Sequence, residues 1–84
     1  MAEIVLGEHV RQRMAQRGAT EAEVRAAIEQ GESEPARKNR MMYRKNFPFD
    51  GEWRGRSYRV KQVTPVVVED AGKIVVVTVY VFYF

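Results

Sequence analysis

The sequence predicts one α+β domain over residues 1–84, with two N-terminal helices packed on a three- to four-stranded, mostly antiparallel twisted sheet. Three observations predict it. Apolar residues recur at every fourth position near the N-terminus, at Leu6, Val10 and Met14. A helix-start signature follows, Thr20 with Glu23 three residues later. The C-terminal half then alternates in strand fashion and closes on IVVVTVYVFYF, Ile74–Phe84.

The first helix is expected over Gly7–Arg17, with Gly18 as its stop. The second starts at the Thr20 cap, buries Val24, Ala27 and Ile28, and ends at Gly31. Glu34 and Pro35 mark a change of texture. Arg40–Lys45 and Arg56–Val63 read as strands joined by the loop NFPFDGEWRG, in which Asp50–Gly51 is the turn signal. Pro65 cannot donate a ladder hydrogen bond, so a bulge or a strand end is expected there. Val66–Glu69 resumes the strand, Asp70–Gly72 turns it, and Lys73–Phe84 returns. In that last strand Val75, Val77, Val79 and Val81 are expected to face the helices, leaving Ile74, Val76, Thr78, Tyr80 and Phe82 on the reverse face.

Composition excludes several functional classes. Without cysteine there is neither a disulfide framework nor a thiolate zinc site, and one histidine among scattered carboxylates forms no metal cluster. No cofactor is called for. The N-terminus carries Glu3 where a secretory signal would be basic. The most apolar run, Ile74–Phe84, is 11 residues long, well short of the roughly 20 of a membrane-spanning helix. A cytoplasmic domain is expected.

The net charge of +3 conceals a sharp division. Residues 1–36 balance to −3, residues 37–61 to +7, and residues 62–84 to −1. A concentrated cationic block attracts phosphate backbones, although it also serves as an ordinary solvated face. On a helical wheel His9, Arg13 and Arg17 flank the buried stripe while Arg11 lies on the far side. Arginine stems cover the rim of an apolar stripe equally well, and for Arg17 that role, or capping of the helix end, is preferred. Arg59 and Lys61 share one strand face, and Arg40 and Arg44 share another. Phe47, Phe49 and Trp53 interleave with Lys45, Arg54 and Arg56, a pattern that suits base stacking beside phosphate neutralisation. Such aromatics more often tuck beneath a loop.

Metal-free RNA cleavage needs an acid, a base and cations for the charged transition state. His9 supplies a group titrating near neutrality, Lys61 and Arg59 supply charge, and Tyr80 orients or donates a proton. The expected catalytic set is therefore His9, Lys61 and Tyr80, with Arg13, Arg40, Arg44, Arg59, Thr78 and Trp53 binding nucleic acid and no metal.

The order His9-x3-Arg13-Met14-x2-Arg17-Gly18, the Thr20-capped helix, the basic strands and the closing Val-Val-Val-Thr-Val-Tyr together resemble a small bacterial family of uncharacterised domains, over nearly the whole chain. That family is similar in fold to the RelE/ParE-like toxins of the barnase, EndoU and RelE ribonuclease grouping. The resemblance implies an active surface on the sheet, with His9, Arg13, Lys61, Thr78 and Tyr80 upon it. It implies a toxin-like endoribonuclease acting on single-stranded RNA or mRNA. The alternative is a non-catalytic module of the same fold that binds nucleic acid, an antitoxin protein or a second copy through a sheet edge or the C-terminal strand.

Overall fold

The computed structural model describes residues 2–84. In chain order these form β1 (Glu3–Val5), α1 (Glu8–Arg17), α2 (Glu21–Gln30), β2 (Glu32–Ala36), β3 (Arg40–Trp53), β4 (Arg56–Asp70) and β5 (Lys73–Tyr83). The strands make one mixed sheet in the order β1-β5-β4-β3-β2, with β1 parallel to β5 and every other pair antiparallel. The α+β class and both helices match the sequence reading. The strand count does not: there are five strands rather than three or four. β2 escapes a pattern search because Glu-Ser-Glu-Pro-Ala has the composition of a loop. It becomes a strand by pairing residue for residue with Arg40–Arg44 of β3, with an ion pair between Glu34 and Arg44.

The helices follow from local chemistry. α1 buries Val10 and Met14, then stops at Gly18, whose φ of +83° is left-handed. α2 opens on a complete capping box: the Glu23 amide donates to Thr20 Oγ1 at 3.2 Å and the Thr20 amide donates to Glu23 Oε1 at 2.9 Å. Such a cap contributes about 1 kcal/mol. α1 lies against β5, and α2 lies across β3 and β4. Between helices and sheet, Leu6, Val10, Met14, Val24, Ile28, Val63, Val67, Val76 and Val79 form one core.

The β3–β4 and β4–β5 hairpins close through two-residue turns whose central residues both have positive φ, Arg54–Gly55 and Ala71–Gly72, and the three-residue β2–β3 connection Arg37–Asn39 also has positive φ at Lys38 and Asn39. Paired positive φ values mark the type I′ turn, whose twist matches that of the strands it joins. The β3–β4 turn thus falls at Arg54–Gly55, not at Asp50–Gly51. Asp50 has φ +45° and sits where the β3–β4 register shifts between Pro48 and Gly51. The Asp-Gly pair makes a bulge, and the expected loop is the second half of β3.

Two expectations about the later strands are also corrected. Pro65 is neither a strand end nor a bulge; it is buried inside β4 in register with Val79. Its cost falls on the other side, where the β3–β4 pairing breaks between Val66 and Val63. In β5, Val76 and Val79 are the core residues, with Ile74 and Val81 packed beside them. The β4–β5 register shifts between Val66 and Val67, leaving Val77 as the extra residue, so the pure alternation expected for β5 is broken there.

The β3 edge of the sheet is protected. β2 pairs with β3 only as far as Arg44, and the uncovered remainder of β3 carries Pro48 and the Asp50 bulge, both poor templates for another strand. Among the described residues, no helix is long and apolar enough to cross a membrane.

Candidate nucleic-acid interface

The C-terminal end of α1 organises the chemistry. Its last carbonyls carry the negative end of the helix dipole and have no partners within the helix. Three sheet side chains bind them. Arg54 Nη2 donates to the Gln16 carbonyl at 3.3 Å, Tyr83 Oη donates to that of Arg17 at 2.8 Å, and Lys61 Nζ donates to that of Gly18 at 2.9 Å. Arg17 answers from the helix, its Nη1 donating to the Val79 carbonyl of β5 at 2.7 Å. The helix end is thereby fastened to the β3–β4 turn, β4 and β5 together.

Lys61 is 8% exposed. Besides the Gly18 carbonyl it pairs with Glu23 Oε2 at 2.8 Å and lies 5.7 Å from the Phe49 ring centroid. Tyr83 is the hub of the aromatic cluster: Trp53 stacks on it at 5.0 Å and Phe49 meets it edge-on at 5.2 Å. Burial, reinforced by the Glu23 charge, raises the Tyr83 phenol above its ordinary pKa. A raised phenol pKa means the fold favours the protonated form, so this contribution is complete below pH 10 and is lost as pH climbs through the raised value. Tyr83→Phe is expected to cost about 1 kcal/mol at neutral pH and to remove part of the alkaline decline in stability. Urea midpoints measured from pH 7 to pH 11 check both; an unchanged alkaline limb would remove Tyr83 as its source.

Outside this cluster lies a groove of about 260 Å³ whose lining includes Arg17, Arg54, Trp53, Tyr80 and Phe82, and no carboxylate. The Arg17 guanidinium sits 5.5 Å from the Tyr80 ring centroid and Arg54 sits 5.3 Å from that of Trp53. Tyr80 and Phe82 are 45% and 50% exposed and stack at 6.5 Å. An exposed aromatic pair beside two arginines offers both a stacking surface and positive charge to one ligand.

The expected site residues separate into groups. Tyr80 and Trp53 lie in the groove. Arg13 is exposed one turn before Arg17 on α1. Thr78 is partly buried opposite Val66. Arg40 and Arg44 belong to the far, β2 side of the sheet, where Arg44 is held by Glu34. Arg59 is exposed near the β3–β4 turn; both its amide and that of Val60 donate to the Phe84 carbonyl, at 3.1 and 2.7 Å. Arg59 and Lys61 therefore do not act as a pair, because Lys61 turns inward to Glu23.

His9 and Lys61 are not brought together either. His9 is exposed in the first turn of α1, whereas Lys61 binds beyond the last. At 1.5 Å per residue the two ends are about 14 Å apart, and helical side chains lean toward the N-terminus, which widens the gap. Arg17 and Arg54 carry the groove's charge instead; the sequence offers Arg54 only as one of the cations interleaved with the loop aromatics, and Arg17 as a rim or capping residue. Tyr83 was passed over, although alternation from Val79 and Val81 puts it on the helix-facing side. Two further helix arginines are engaged: Arg11 and Arg25 both bind Glu21, and Arg11 first, then Arg25, hold its carboxyl below the ordinary range. Among the described residues, no three His, Cys, Asp or Glu side chains converge on a metal-sized site. No family model matches the chain, and neither does any curated protein or solved structure.

Proposed function

We propose that this protein is a nucleic-acid-binding domain that grips a single strand without cutting it. The observation that carries the reading is the carboxylate-free groove with Arg17 and Arg54 on its walls and Tyr80 and Phe82 exposed beside them. Rings stack bases and guanidinium groups neutralise phosphates. Arg13, one turn along α1, extends the basic track. Of the two functions that the RelE/ParE-like resemblance implies, this reading takes the non-catalytic one. Cleavage would need an acid and a base about the reacting phosphate; the groove holds only phenols and guanidiniums, with His9 about 12 Å up the helix.

Fluorescence anisotropy with labelled oligouridylate tests the reading. Affinity is expected to fall with salt, and Arg54→Ala to lower the logarithmic salt slope by about 0.7, the value for one lost single-strand phosphate contact. That variant should weaken all sequences alike and lower the melting temperature only slightly, because its bond to the Gln16 carbonyl is long, at 3.3 Å, and exposed. His9→Ala should change nothing. A slope near zero would overturn nucleic-acid binding, and RNA fragments that vanish with His9→Ala would restore the nuclease.

A further inference from the structure

β5 is only half covered on the side away from β4. β1 pairs with Lys73–Val75 and no further. Beyond that, hydrogen-bond parity tells which backbone groups point outward. Val60 and Phe84 exchange both bonds, at 2.7 and 3.0 Å, so they are a hydrogen-bonded antiparallel pair. By alternation Phe82 and Tyr80 also turn toward β4, while Val79, Val81 and Tyr83 turn their N–H and C=O groups away. Arg17 takes the Val79 carbonyl, an independent sign of that direction. Val81 lines the groove, and among the described residues no strand pairs with it on this side.

A donor and an acceptor thus stand side by side on the groove wall. Exposed rings of Tyr80 and Phe82 occupy one face of the strand, Trp53 and Tyr83 the other, with the Arg17 guanidinium over Tyr80 and that of Arg54 over Trp53. Unpaired bases present the matching pattern, an adjacent donor and acceptor on the Watson–Crick edge. The space is below the roughly 300 Å³ of a drug-sized ligand site, which suits one nucleotide rather than a large cofactor. An extended peptide would also satisfy a strand edge, but its neutral backbone leaves Arg17 and Arg54 without a counter-charge. Building on the nucleic-acid reading above, we infer that the groove takes one unpaired base edge-on, with its Watson–Crick edge bonded to the Val81 N–H and C=O, and its flanking phosphates on Arg17 and Arg54. The protein consequently selects single strands over duplexes, because a paired base has no free edge.

The test leaves the protein unaltered and changes the base. Oligouridylate is compared with an oligomer of the same length made of 3-methyluridine, which keeps ring and phosphates but blocks the N3–H donor. Binding to the methylated oligomer is expected to be roughly tenfold weaker with the same salt slope, and oligouridylate annealed to oligoadenylate should weaken similarly. Equal binding of both single strands would overturn the edge contact while leaving nucleic-acid binding intact. Failure of both to bind would overturn the nucleic-acid reading as well; an acidic peptide that then shifts the Val81 amide resonance would assign the edge to a protein strand.

Discussion

Gly31→Ala is expected to lower stability by about 3 kcal/mol, at the upper end for overpacking, and the melting temperature by roughly 12–24 °C in a domain of this size. The reason is steric alone, since the Gly31 φ of −80° suits any residue. A Cβ at this position would lie 2.5 Å from the Arg44 carbonyl oxygen and closer still to that of Ala27. Both are backbone atoms, so neither can swing aside. The Gly31 amide also donates to the Ala27 carbonyl at 2.9 Å, fixing the helix end where it is. To admit a methyl group, α2 must rise from β3 and open the layer containing Ala27 and Ile28, both now buried. A thermal melt followed by circular dichroism decides it: a midpoint within about 4 °C of the parent would mean a cost under 1 kcal/mol and a more yielding helix–sheet contact than described.

Lys61→Ala is expected to cost about 3 kcal/mol, the lower end for breaking a buried ion pair. The loss comes from what is left behind: Glu23 without its cation and the Gly18 carbonyl without a donor. If this is the cause, removing Glu23 as well relieves part of the damage. The double variant Lys61→Met with Glu23→Gln is therefore expected to be less destabilised than the two single changes summed. Urea unfolding of all four proteins tests this, and strict additivity would sink the pairing argument. The same experiment bears on function. Lys61 faces the helix, not the groove, so nucleic-acid affinity measured well below the melting temperature should survive Lys61→Met.

The contrast between Lys61 and Arg17 explains how far the sequence could be read. Helices announce themselves within a few residues: the Leu6, Val10, Met14 spacing and the Thr20–Glu23 box are local signals, and both helices lie where those signals put them. The strand region depends on partners. Glu32–Ala36 is a strand only because Arg40–Arg44 lies beside it, and Asp50–Gly51 looks like a hairpin turn until the Arg54–Gly55 pair closes the same hairpin four residues later. Faces in β5 were legible only beyond the Val77 bulge, where Val79 and Val81 turn to the core as alternation implies; before it Ile74 and Val76 do so instead of Val75 and Val77, since one inserted residue exchanges the faces. For the candidate site, Trp53 and Tyr80 stood out by chemistry. Lys61 and His9 stood out equally, yet Lys61 is committed to fastening a helix end, a fact that depends on Glu23 being 38 residues away in sequence and in contact in space. Arg17 gains its importance only from the Val79 carbonyl, and no local pattern encodes that.

The parallel pairing of Glu3–Val5 with Lys73–Val75 has a consequence for biosynthesis. The earliest strand made waits for the latest, and α1 rests on that same late strand. While the chain is emerging from a ribosome, the apolar stripe of Val10 and Met14 has no sheet surface to cover it until β5 has been made. The three tight hairpins can zip as they appear, but the N-terminal segment stays sticky throughout, and shielding it in that interval falls to whatever chaperones attend the nascent chain.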